Sequence, residues 1–213
     1  MTAVFALPDR LSAKADPVLI ARDEQQFEAI ARSLHRQIGA LSARIDELRI
    51  AQGRGGEAAL ERDLEIHRLT ARRRALSRYG VDLCLGRMVG TGLAGGAADD
   101  TSRGGSNLET VYIGRFGLSD DEDRRLLIDW RSPAAAPFFG ATHADPMGLV
   151  SRRRYRWTRG RVSDYWDEVF TAEGLSGNVA LDDQSAFIAS LGSARSPRMR
   201  DVLSTIQADQ DAI

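Results

Sequence analysis

The sequence predicts an α+β chain: a long antiparallel helical hairpin forming a coiled-coil arm, a small antiparallel β unit, and C-terminal helices. Three observations predict it. Apolar residues recur at sevens from residue 19 to 52. A glycine-rich break at residues 53–56 then leads into a second periodic stretch. Further on, two short apolar runs, residues 111–116 and 126–130, flank a polar cluster of the kind that makes a turn.

Residues 1–18 read as a mobile tail. The apolar stretch 4–7 is too short for a signal peptide, lacks a basic leader and is followed by Asp9. Residues 19–88 hold the arm. Phe27, Leu34, Leu41 and Leu48 interleave with Ala31, Ile38 and Ile45 in alternating steps of four and three. That spacing is the seam of a coiled coil. Asp16-Pro17 supplies a helix start, and the glycines at 53, 55 and 56 a stop. The second helix runs from about 57 to 78, with Leu60, Leu64, Ile66, Leu69 and Leu76 as its apolar face. Two such helices around a tight turn fold back on each other. At about 1.5 Å per residue they give an arm of roughly 48 Å, with residues 40–68 as its outer part.

Residues 79–89 read as a linker entering a strand. Residues 89–108 are rich in Gly, Ala, Ser and Asp without periodicity and read as a flexible loop. The β unit spans 109–162. Its first two runs predict a hairpin around residues 117–123, with Trp130 turned into the core by strand alternation. Its last part carries six Arg between Arg152 and Arg161, with Tyr155 and Trp157 among them. Tyr155 and Trp157 share one face of a strand, Arg154 and Arg156 the other. Two readings stand open there: a nucleic-acid-binding strand of arginines and aromatics, or a solvated strand face over a buried one. Residues 163–213 read as helical, at 164–170, 182–191 and 197–205, with Ser196-Pro197 opening the last.

Composition narrows the function classes. The formal net charge is −1, so global charge points to neither nucleic acid nor membrane. Cys84 is the only cysteine, which suits a reducing cytoplasm. His35, His67 and His143 lack ligand spacing for zinc. Lys14 is the only lysine and has no glycine beside it. A phosphate-binding loop needs a Lys after its glycines, so this stretch holds no ATPase.

The most specific residues are 112–148. Residues 112–120 read YIGRFGLSD, 126–133 LLIDWRSP, 137–139 PFF and 145–148 DPMG. In this order they resemble the HelD/HelR family, UvrD-like superfamily-1 helicase relatives that bind bacterial RNA polymerase and recycle it from stalled complexes. The long loop 90–107 departs from the short acidic turn usual there. The resemblance implies that this is the N-terminal region of a DNA helicase-like, ATP-hydrolysing factor, cytoplasmic and free of membrane. It implies that the arm enters the polymerase secondary channel, with Arg49, Gln52, Arg54 and Glu57 at its tip as partner contacts. The end of the sequence resembles the Q motif that precedes a RecA-like ATPase domain, so Gln210 would contact the adenine of ATP. ATP and Mg²⁺ would belong to the full-length protein, and one branch of the family is linked to rifamycin tolerance. Two other functions remain open: a nucleic-acid-binding module using residues 152–161, and a coiled-coil dimerisation module.

Overall fold

The computed structural model describes residues 3–51, 56–93, 97–98 and 108–171. The first long element, α1 (Pro17–Ile50), starts where the sequence signals it: Asp16 Oδ1 accepts from Val18 N at 2.9 Å and Pro17 occupies the first turn. The second, α2 (Glu57–Ser77), opens after Gly56, whose φ of 102° and ψ of −150° suit glycine alone. Ala51 O accepts from Arg62 Nη1 at 3.1 Å, and Ser42 Oγ from Arg73 Nη1 at 3.5 Å. As one number rises the other falls, so the two helices run antiparallel.

The rest is one sheet. Its strands are β1 (Cys84–Thr91), β2 (Ala97–Ala98), β3 (Leu108–Gly114), β4 (Leu118–Ser119), β5 (Arg125–Asp129), β6 (Leu149–Thr158) and β7 (Arg161–Val169). They lie in the order β4-β5-β3-β1-β6-β7, with β2 pairing β3 off that path. All pairs are antiparallel except β3 with β5. Strand alternation sends Tyr112 to one face and Val111 and Ile113 to the other. On the first face α1 lies across the sheet and buries Phe27, Ile30 and Leu34 against Tyr155, Tyr165 and Leu127. Phe27 is fully enclosed by edge-to-face contacts with Tyr155 at 5.1 Å and Trp157 at 5.3 Å. On the second face the short helix α3 (Ala136–Gly140) seats Phe138 over Gly86. A Cβ on Gly86 would stand 2.5 Å from the Phe138 ring, so that position accepts only glycine.

Several expectations are corrected. Of residues 164–170, expected as a helix, 164–169 lie in β7 and Phe170 follows its end. The hairpin is made by β4 and β5, not by the runs at 111–116 and 126–130, which pair in parallel as Ile113 with Ile128. A two-residue strand between them takes the antiparallel partner's place. The expected tail is packed: Phe5 is buried and bridges Val162, while Lys14 Nζ lies 2.9 Å from Asp164 Oδ1. The region expected as loop from 89 begins inside β1, which continues to Thr91. Leu60 and Leu64 do not share the seam of α2; both are more than 60 % exposed, while Leu76 is buried. Residues 182–191 and 197–205 and the segment with Gln210 lie outside the described residues.

Candidate partner-binding arm and its buried anchor

α1 does two jobs along its length. Up to Gln37 it is fastened to the sheet: Ser33 Oγ donates to Ser119 O at 2.6 Å, Gln26 Nε2 to Leu126 O at 2.7 Å, and Arg36 pairs with Asp121 at 2.7 Å. From Ile38 its neighbour is α2, with Leu41 and Arg44 beside Leu69 and Arg72. The stretch from Ile38 to Ala51 measures about 20 Å. That is less than half the length expected from the heptads, because the first half of the seam turned out to be core.

The expected tip residues separate. Arg49 is exposed and lies 3.5 Å from Asp46 Oδ1. Glu57 sits in the first turn of α2, where a negative charge suits the helix N-terminus. Gln52 and Arg54 lie outside the described residues. Near the tip Arg44 pairs with Glu47 at 2.9 Å and Arg62 with Asp63 at 3.3 Å. Among the described residues no cluster of His, Cys, Asp or Glu has the make-up of a metal site.

Beneath the fastened half of α1 lies a charged cluster that sequence reasoning missed. Arg153 on β6 donates from Nε and Nη2 to both oxygens of Asp167 on β7, each at 2.6 Å. Its Nη1 reaches Asp23 Oδ2 at 2.7 Å and Leu19 O at 2.8 Å, both on α1. Tyr112 Oη donates to Asp23 Oδ1 at 2.9 Å, and the Tyr165 ring backs the guanidinium at 4.1 Å. Arg87 Nε lies 3.1 Å from Asp23 Oδ1 as an ion pair, without the alignment of a hydrogen bond. Asp23, Arg153 and Asp167 are all at most 2 % exposed. Two acids and two arginines balance, so the cluster is neutral and bidentate, the arrangement that tolerates burial. Burial works against the Arg153 charge, but the Asp167 and Asp23 carboxylates outweigh it and hold the guanidinium above its usual range. Burial, with Asp23 close by, pushes the Tyr112 hydroxyl up, so it stays a donor. The signal lay in the strand period: Arg153, Tyr155 and Trp157 share the inward face.

The remaining arginines of 152–161 are largely engaged. Arg152 pairs with Glu168 and donates to Phe138 O at 2.9 Å. Arg161 donates to Ala3 O at 2.7 Å, and Arg156 stacks over Trp166 at 4.6 Å. Asp129 and Arg131 bond to each other at 2.7 and 3.0 Å across the turn after β5, where Ser132 caps Pro133–Ala135. Trp130 on that turn is 48 % exposed, contrary to the burial expected of it.

Over residues 20–184 the sequence matches the family described as DNA helicase IV HelD, N-terminal domain. No curated protein matches it.

Proposed function

The chain belongs to the HelD N-terminal-domain family, and on that premise we propose that it is the polymerase-binding front of an ATP-driven factor that releases and recycles stalled bacterial RNA polymerase. A link to rifamycin tolerance belongs to the same reading. ATP and Mg²⁺ act in the full-length protein, where Gln210 contacts adenine, and this stretch brings no ATPase of its own. The arm enters the polymerase secondary channel, and Arg49, Gln52, Arg54 and Glu57 meet the partner.

One observation carries the reading: a helical pair whose inner half is bolted to a sheet through Arg153 and whose outer half runs on beside its partner helix, Leu41 and Arg44 next to Leu69 and Arg72. A fixed base under an extended arm suits a part that reaches into a narrow opening. The test is co-purification of the chain with purified bacterial RNA polymerase. A second protein has residues 43–71 replaced by a short Gly-Ser linker, which cuts both helices at one level because Ser42 faces Arg73. The parent should bind and the shortened protein should bind at least about tenfold more weakly. Equal binding by the two proteins would remove the arm from the interface.

A further inference from the structure

The face of the sheet opposite α1 carries an apolar patch that the described fold leaves bare. Trp130 is 48 % exposed, Phe139 52 % and Met147 41 %. The Trp130 and Phe139 rings meet edge-on at 6.3 Å, and Phe139 meets the buried Phe138 at 5.0 Å. Met147 Sδ lies 3.2 Å from where a Cβ on Gly140 would stand, which ties it to the end of α3. The three side chains come from the turn after β5, from α3 and from the loop before β6, so the fold assembles the patch. A single exposed apolar side chain is ordinary, but a contiguous aromatic group is a surface that something covers.

The path of the chain indicates the cover. β7 ends at Val169, and Phe170 N donates to Val150 O at 2.9 Å. The Phe170 ring lies 5.3 Å from the His143 ring and 5.3 Å from the Arg152 guanidinium, which itself binds Phe138 O. The chain therefore leaves the sheet at the border of the patch. There Thr171 Oγ1 is buried without a hydrogen-bond partner. Residues 172–213 follow, and among them Phe187, Ile188 and Leu191 have the spacing of one helical face. An extended chain of about 15 residues spans up to roughly 50 Å, so reach does not limit the contact.

We propose that residues 187–191 of this chain dock on the Trp130–Phe139–Met147 patch. The inference is independent of polymerase binding. It is tested on the whole 213-residue chain by amide hydrogen exchange. In the parent, residues 187–191 should exchange at least about tenfold more slowly than an unstructured peptide. In the Trp130→Ala/Phe139→Ala double variant that protection should vanish while the strands keep theirs; both side chains are half exposed, so the fold survives. A Cys84→Ala background carrying Ala136→Cys, beside the patch on α3, and Ile188→Cys should form an intramolecular disulfide faster than one carrying Arg159→Cys and Ile188→Cys, since Arg159 lies at the far β6–β7 turn. Absence of protection in the parent overturns the proposal, and so does protection that the double variant retains. Protection that appears only with concentration, alongside a dimer in sedimentation, assigns the patch to a second copy and overturns it equally.

Discussion

Arg153 makes four hydrogen bonds from β6, two to Asp167 on β7 and two to α1. Removing it leaves Asp23 and Asp167 buried without their strongest partner, which costs far more than the pair itself adds. Arg153→Ala should therefore lower stability by about 3–5 kcal/mol in urea titration. A loss under about 1 kcal/mol would show that water reaches the carboxylates. Trp130 makes the opposite case. With half its surface in solvent, Trp130→Ala should cost less than about 1 kcal/mol, whereas Phe27→Ala, from a fully enclosed site, should cost about 3–5 kcal/mol. If the two variants melt alike, the assignment of the core is wrong. Asp129 adds a pH dependence. The hydrogen bond from Arg131 holds its carboxyl below the usual carboxylate range against mild burial. A carboxyl lowered in the folded state adds stability above its unfolded value of about 3.9 and loses it as pH falls through the folded one. Arg131 is mostly exposed, so solvent and salt screen the pair and its contribution is small. The stability difference between the parent and Asp129→Asn should be present at pH 7 and close as acid protonates the carboxyl; a gap that does not narrow at all as pH falls would contradict it.

At the level of elements, legibility followed how well apolar patterning tracked burial. The start of α1 and the break before α2 were plain in Asp16-Pro17 and the glycines, and both formed where expected. The heptads were real, but the partner of their first half is largely a sheet: Phe27 meets Tyr155 and Trp157 on β6, and Leu34 joins the same core. Periodicity reports which face is buried and cannot say against what. β7 was misread for a related reason. Its inward positions are Tyr165, Asp167 and Val169, and the charge at Asp167 breaks the apolar alternation that marks a strand. Only the partner Arg153, distant in sequence, makes that charge tolerable. Trp130 was misplaced because alternation was carried one residue beyond Asp129, where the Asp129–Arg131 pair has already turned the chain. The parallel pairing of β3 with β5 was hidden because β4 is only two residues long. The outer arm offers a check on this account. Replacing residues 43–71 with a linker removes none of the contacts that α1 makes to the sheet through Gln26, Ser33 and Arg36. Exchange protection in β1, β3 and β6 should therefore match the parent within about threefold. Collapse of that protection would mean that the arm is part of the folding unit.

For the molecule as a whole, the two rival functions make different demands on surfaces already described. Dimerisation through the heptads needs a free seam. Here Ile45 is fully buried and Leu76 nearly so, so that part of the seam is filled within the chain, and among the described residues only Ile50, Leu60 and Leu64 toward the tip stay exposed for a second copy. Nucleic-acid binding needs arginines free to displace counterions from phosphates. Residues 152–161 looked well supplied because their composition was visible and their pairing was not. Arg153 is locked beneath α1, Arg152 is held by Glu168, and Arg161 is tied to the backbone of Ala3. Arg154, Arg156 and Arg159 are left on the outside, and Arg154 still lies 3.5 Å from Glu168. Each phosphate neutralised on duplex DNA contributes a slope of about −0.9 to log K against log salt. These three exposed arginines, with Arg154 beside Glu168 and Arg156 over Trp166, therefore contribute at most about −3 to the slope. A salt titration of DNA binding by fluorescence anisotropy should return weak binding, and changing Arg154, Arg156 and Arg159 together to Gln should make its slope shallower by no more than that share. A loss of more than about 3 from the slope in that triple variant would mean that its arginines hold phosphate together with neighbours the fold has already paired, and would move the function from the arm to the sheet.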